Sequence, residues 1–366
     1  MNTKRLIILI CFLLTCLFGC NSTTRAKKIG EISFNMNPPY AVVNHAVNCI
    51  EGNSLLILQS LKDMNLHFFE FNSEKVEKSY TLNSKVINSL PYFQLFVKDF
   101  DSIVLFNPLT SCITIVDSTG LVIFEEKLES GVPTLNPDNP LNCIGNKLYL
   151  GNSSRNLNVG LPLERNEYFQ TVKPIYQIDL QNATNSERQW GSFPRKYADN
   201  NYDFLNYFPD ICPYSAESVL VSFASDDSVY LFENECKVRS VLYDSKFINN
   251  FMPYPEKKRL DMAFYKNFLF SEPKYIALIY NKYTQQYLRV ARHRFIYKSE
   301  NKFDSEHMKW SIVIMNNKFK IINEFVFDYR YNSSDVILCT IDGIYISDVP
   351  NSHENINQLS LSLYKF

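Results

Sequence analysis

Residues with types suited to chemistry are few and scattered. The five histidines are His45, His67, His293, His307 and His353, and no HxH or HExxH pair offers metal-binding spacing. There is no GxSxG elbow, and with ten glycines in all there is no glycine-rich phosphate loop. "ASDDS" (224–228) and "DFDS" (99–102) place acids side by side, but they lack the regular spacing and closing Glu of a calcium loop and read as acidic turns. Two clusters remain. In "RVARHRFIYK" (289–298) an extended backbone puts Arg292, Arg294 and Lys298 on one side with Val290, and Arg289 and His293 on the other. Such guanidiniums suit a carboxylate or phosphate; equally, they suit a solvated strand face paired with Asp304 and Glu306. In "PRKYADNNYDFLNYFPDI" (194–211) Tyr197, Tyr202, Tyr207 and Phe208 interleave with Arg195, Lys196, Asp199 and Asp203. Aromatics among short polar residues suit a sugar face or a peptide, and they also suit a loop packing onto its own sheets. The candidate binding residues are therefore Tyr197, Tyr202, Tyr207, Arg292 and Arg294. No catalytic residue, metal or cofactor is assigned.

The elements that would position these residues are strands. One phrase, two alternating apolar runs around a polar turn, occurs six times: "LHFFEFNSEKVEKSYTL" from Leu66, "CITIVDSTGLVIFEEKL" from Cys112, "IYQIDLQNATNSERQWGSF" from Ile175, "SVYLFENECKVRSVLYD" from Ser228, "SIVIMNNKFKIINEFVF" from Ser311 and "IYISDVPNSHENINQLSLSLYKF" from Ile344. Period-2 alternation around Asn, Asp, Ser and Gly is the hairpin pattern. A further apolar pair precedes most copies, as in "FQLFVKDFDSIVLFN" (93–107). Four short strands per unit, repeated every 40 to 60 residues or so, describe an all-β, six-bladed β-propeller, with a seven-bladed one as the alternative.

If the strands of a blade run A to D outward from the axis, B–C turns and D-to-A crossings share a face. The long excursions 153–173, 194–211, 245–262 and 296–309 all fall at such places. Loops displayed by a rigid scaffold commonly carry function, so binding is expected on that face, around blades three to five.

The chain of 366 residues has a formal net charge of −1, which argues against a nucleic-acid partner. Its 23 Tyr and 28 Phe suffice for a large core. Of the nine cysteines, Cys49 and Cys143 lie in the matching phrases "VNCIEGN" and "LNCIGNK", and Cys112 and Cys339 lie in strands, where cysteine acts as a small buried hydrophobe. Cys212 and Cys236, both near turns, are the one pair that could bridge.

At the N-terminus, Lys4 and Arg5 precede the apolar stretch Leu6–Phe18, which is too short to span a bilayer and the right length for a signal peptide. "LFGC" (17–20) resembles the bacterial lipobox. That resemblance implies cleavage before Cys20 and diacylglycerol on its thiol, and several acyl chains hold a membrane far more firmly than one. Residues 1–19 are then a signal peptide, 20–30 a tether and 31–366 the propeller. By resemblance to enterobacterial lipoprotein sorting, Asn21 after the cysteine favours the outer membrane, and the basic tether, where related bacteria use an acidic stretch to reach the cell surface, favours its periplasmic face.

A lipobox, a short basic tether and six degenerate blades together resemble the six-bladed propeller lipoproteins of Bacteroides-type bacteria, the domain of unknown function 4221 group, with the TolB-like or NHL-like arrangement. "YLRVARH" (287–293) and "FKIINEFVFD" (319–328) are similar to that group's late-blade strands. The resemblance carries over the anchor cysteine alone. The reading is a monomeric, membrane-tethered module that binds an envelope protein, peptide or glycan. The alternative is an envelope glycan hydrolase or lyase with its site at the propeller axis.

Overall fold

The computed structural model describes residues 26–35, 42–50, 53–60, 65–71, 76–81, 94–107, 110–128, 141–152, 162–181, 187–200, 202, 209–258, 261–295, 308–349 and 358–365. Among these residues the strands form six four-stranded antiparallel sheets. The first contains β2 (Val42–Ile50), β3 (Asn53–Ser60), β4 (Asn65–Glu70) and β5 (Val76–Thr81). The second contains β6 (Gln94–Asp99), β7 (Ser102–Asn107), β8 (Cys112–Val116) and β9 (Val122–Lys127). The third contains β10 (Asn142–Ile144), β11 (Lys147–Gly151), β12 (Ile175–Asp179) and β13 (Glu187–Trp190). The fourth contains β14 (Pro209–Ser215), β15 (Ser218–Phe223), β16 (Ser228–Glu233) and β17 (Cys236–Leu242). The fifth contains β18 (Lys274–Asn281), β19 (Gln286–Arg292), β20 (Lys309–Asn316) and β21 (Ile321–Asp328). These five use consecutive strands. The sixth joins both ends of the chain: β22 (Asn332–Cys339), β23 (Ile344–Asp348) and β24 (Gln358–Lys365) pair in order, and β1 (Lys27–Asn35) adds to the free edge of β24.

Side chains alternate between the faces of a strand, and here both faces are covered. Leu55 and Ile57 pack with Leu95 and Leu105 of the second sheet, while Leu56 and Leu58 pack with Phe34 and Leu338 of the sixth. Val104 and Phe106 then meet Leu148 and Tyr176, and Tyr149 and Ile175 meet Val219 and Val221. Leu220 and Val229 meet Leu278 and Val313, and Val290 and Ile312 meet Ile337 and Ile346. Every sheet is sandwiched between two others and the sequence of apolar layers returns to its start. First strands touch first strands, β2 against β6 and β22, β14 against β10 and β18, so they surround the axis. The chain is an all-β propeller; among the described residues five of its sheets are contiguous in the chain and one is composite.

Strand position sets the burial pattern. Every residue of β15 is buried, whereas β9 alternates and β17 is almost wholly exposed. All six hairpin phrases are adjacent paired strands. Five of them supply the third and fourth strands of a sheet. The last supplies the second and third, because β1 takes the outer position. Residues 27–30, read as the end of a tether, belong to that strand. It covers an edge that would otherwise present unpaired backbone groups.

Cys212 and Cys236 do not bridge; both are free, one buried and the other exposed. Cys212 lies on β14 and Cys236 on β17, three strand spacings apart, about 14 Å at roughly 4.8 Å each. A disulfide spans Cα atoms no more than about 7 Å apart. Cys49 and Cys143 occupy the same place, next to last on the first strands β2 and β10.

Among the described residues three helices interrupt the sheets. Helix α1 (Pro162–Thr171) joins β11 to β12, α2 (Arg195–Asp199) leads from β13 to β14, and α3 (Met262–Ser271) leads from β17 to β18 after a short turn, Glu256–Lys258. Asp261 caps α3 by accepting the Phe264 N–H at 2.9 Å. Strand alternation puts second-to-third turns and sheet-to-sheet crossings on one face, and α1 packs on α2 there. The excursion at 296–307, with Lys298, Asp304 and Glu306, lies outside the described residues.

Closure by β1 sets a test. Phe34 is fully buried, edge-on to Phe69 and Phe71 at centroid distances of 5.3 and 5.8 Å. Phe34→Ala should cost about 3–5 kcal/mol in urea unfolding. Ile29→Ala, on an exposed position of the same strand, should stay within about 0.5 kcal/mol.

Candidate functional site

The helical face is built around buried aromatics. Tyr168 and Phe169 of α1 pack with Phe193 and Tyr197 over Val219, Val221 and Phe223 of the fourth sheet. Arg165, also on α1, ties the crossings together: its Nε donates to the Ala198 carbonyl at 3.4 Å and Nη2 to Glu256 at 3.3 Å. These contacts hold α1, the end of α2 and the turn before α3 in one unit.

Between them lies the turn 224–228, which joins β15 to β16 on the same face. Asp226 accepts the Ser228 N–H and the Tyr230 hydroxyl, both at 2.9 Å. Asp227 accepts the Tyr275 hydroxyl at 3.0 Å. Burial raises the Asp227 carboxyl above its ordinary range, opposed by Tyr275 and by the Arg289 guanidinium. The acids thus make an Asx-type turn, as read from the sequence. Among the described residues no three His, Cys, Asp or Glu side chains gather as a metal site.

Lys196 stands over this turn. Its Nζ is 4.0 Å from Asp226 and 5.1 Å from the ring centroids of both Tyr202 and Phe251. Burial lowers its pKa, while Asp226 and Asp227 pull it back up. The group is an ammonium between two aromatic faces, with about a third of the side chain still open to solvent.

Beneath the turn is Arg289, which is wholly buried. By strand parity Leu288 and Val290 face the sixth sheet, and Tyr287 and Arg289 face the fourth. The guanidinium donates to Ser222 Oγ at 3.0 Å and to the carbonyls of Asp227 at 3.0 Å, Tyr243 at 2.7 Å and Phe223 at 3.3 Å. The Asp226 carbonyl accepts as well. The Tyr275 ring lies under it, 3.4 Å from centroid to Cζ. Tyr275 also accepts the Ser245 N–H and is pushed well above its ordinary pKa by burial.

The candidate residues divide. Tyr197 is not a ligand contact: it is buried, and its hydroxyl accepts the Ser225 N–H at 2.9 Å. Tyr202 is half-buried beside Lys196 and reaches the surface of the face. Tyr207 lies outside the described residues. Arg292 and Arg294 form no joint anion site. Arg292 is buried and donates to the Leu269 and Glu272 carbonyls at the end of α3, at 2.6 and 3.0 Å. Arg294 is exposed and pairs with the Glu272 carboxylate at 2.6 Å. Both strengthen the seat of α3. Lys196 and Phe251, which the tyrosine pattern did not single out, belong to the open part of the face. In the sequence Arg289 is one of the basic residues of 289–298, on the other side from Arg292 and Arg294, but nothing there points to its burial against the turn 224–228.

The chain is therefore an all-β propeller that presents its described helices on one face. No known sequence family and no curated protein matches it. Its fold is similar to that of a solved member of the DUF4221 family from Bacteroides vulgatus ATCC 8482, with a TM-score of 0.77 at 16% identity over 93% of this chain and 98% of that one. Streptogramin B lyase superposes with a TM-score of 0.46 at 10% identity over 92% and 98% of the two chains. The β-propeller domain of Myceliophteria thermophila Cps50 (Swd1) gives 0.47 at 9% identity over 93% and 100%. At these identities the likeness concerns the fold.

Removing the guanidinium should strand its acceptors between two sheets. Arg289→Met is expected to lose about 3–5 kcal/mol in chemical unfolding. Arg294→Ala, whose ion pair is at the surface, should lose at most about 1 kcal/mol.

Proposed function

We propose that this protein is a lipid-anchored β-propeller of the bacterial cell envelope, a binding module that holds a protein, peptide or glycan on its helical face. The observation that carries the reading is the open cluster of Lys196, Tyr202 and Phe251 over the Asp226 turn, held by three excursions locked together through Arg165. Aromatic faces with a few fixed polar groups are the usual surface for a sugar or an extended peptide. The rigid sheets below position that surface without taking part in it.

The anchor is Cys20. The charged, apolar and lipobox segments before it support this reading from the sequence. Among the described residues no helix is long and apolar enough to cross a membrane. Six residues, 21–26, separate Cys20 from the start of β1 at Lys27, a reach of at most about 25 Å. A propeller so tethered stays within one domain diameter of the bilayer, and its partner is an envelope component. The outer membrane, on its periplasmic side, is the location that Asn21 and the basic tether favour.

Two experiments test this. Cys20→Ala should abolish incorporation of radiolabelled palmitate and move the protein out of the membrane fraction; unchanged labelling would overturn the anchor. On glycan and peptide arrays, the mature protein should give ligands whose binding falls at least about tenfold in the Lys196→Ala, Tyr202→Ala double variant. Ile322→Ser, at an exposed position of the outer strand β21, should leave binding unchanged. Equal loss in both variants would remove the helical face from the reading.

A further inference from the structure

The crossing from the fourth to the fifth sheet is fastened by a buried carboxylate. Glu324, on the outer strand β21, is only 5% exposed. Its Oε1 accepts from the hydroxyls of Ser245 at 2.5 Å and Ser311 at 2.6 Å, and its Oε2 accepts the Lys246 N–H at 2.8 Å. Ser245 Oγ in turn accepts the Phe247 N–H at 3.1 Å. Ser311 gives its hydrogen to Glu324, so its oxygen must accept from His293 Nε2 at 2.9 Å. That assigns the His293 proton to Nε2. Phe247, the exposed edge of the crossing, stacks on the imidazole with centroids 4.8 Å apart and planes 23° apart.

We propose that His293 and Phe247 form an acid-sensitive latch. A protonated imidazole needs water, Phe247 stands between it and the solvent, and the crossing from Ser245 to about residue 252 lifts away while the sheets remain folded.

The charged groups around His293 support this. Lys309 of β20 opposes a second positive charge. Glu324 reaches the ring through Ser311, with its oxygens already occupied by three donors. Arg292, adjacent in the chain, is held at the Leu269 and Glu272 carbonyls, and Arg294 at the Glu272 carboxylate and, at 3.5 Å, at the Asn250 carbonyl and Met252 Sδ of the crossing itself. Burial, with Lys309, lowers the His293 pKa to about 4 from the ordinary 6.5. The latched state binds neutral imidazole, and the lifted state takes up a proton below 6.5. The latch is thus complete above about pH 6.5 and weakens as pH falls toward 4, by about thirtyfold at pH 5. It is a property of the fold and holds whether or not the helical face binds anything.

The test is hydrogen exchange of the mature protein between pH 7.5 and 5, corrected for the intrinsic pH dependence. The amides of 245–252 should lose at least about tenfold in protection, while those of β7 and β15 keep theirs. His293→Gln, which retains a donor at that position and cannot become charged, should abolish the loss. Loss of equal size in His293→Gln, or an equal fall in all sheets, would overturn the latch. Should that variant fail to fold, NMR titration of the wild type decides: the ring protons of His293 and Phe247 must titrate together, and independent titration overturns the proposal.

Discussion

The interface between the fourth and fifth sheets depends on one buried guanidinium. As in the other layers of the ring, apolar side chains interdigitate here, Leu220 and Val229 with Leu278 and Val313. Beside them Arg289 is buried and satisfies its donors on backbone carbonyls and a serine of the neighbouring sheet. A charge taken from water into such a layer is tolerable only when its donors are used. The partners come from the end of β15, the turn 224–228 and the residue after β17, so a single side chain fixes the geometry of that turn. Asp226 and Asp227, and the position of Lys196 above them, follow from it.

The same neighbourhood seats the helical excursions. Tyr275 lies under Arg289 and accepts the N–H of Ser245, where the next crossing begins. Ser245 then reaches Glu324 on the outer strand of the fifth sheet. Arg292 and Arg294 hold the end of α3. A continuous polar chain thus runs from the fourth sheet to the fifth beneath the face proposed for binding. Burial makes that chain stiff, because breaking any one link leaves a buried polar group without its partner. His293 lies on this chain as a titratable group under a removable cover, which is why acid should act there first.

Ring closure imposes the second constraint. Each sheet needs apolar residues on both faces of its inner strands, and the last sheet needs an outer strand that the C-terminal stretch does not supply. β1 provides it. Its place next to the proposed lipid anchor means that the strand closing the ring is also the one through which tension from the membrane would act on the domain.

The sequence by itself determined the strands and their hairpin pairing, because period-2 apolar alternation around polar turns is a local property. It also put the long excursions at second-to-third turns and sheet-to-sheet crossings, which strand alternation alone sets on one face; their described parts fall at those places in the element order. Local information stops at the contacts between sheets. Arg289 is buried against the fourth sheet, Arg292 is buried at the end of α3, and Arg294 lies exposed beyond the end of β19, so no arginine cluster faces solvent together. Tyr197 and Tyr202 read alike in a polar loop; only the fold of α2 against the fourth sheet buries one and leaves the other half-open. Cys212 and Cys236 both sit near turns, and only the sheet order shows that three strand spacings separate them. The Glu324, Ser311, His293 and Ser245 network joins residues up to 79 positions apart, and no spacing rule connects them. Tertiary structure decided these points because each is a contact between segments whose sequence separation carries no distance information.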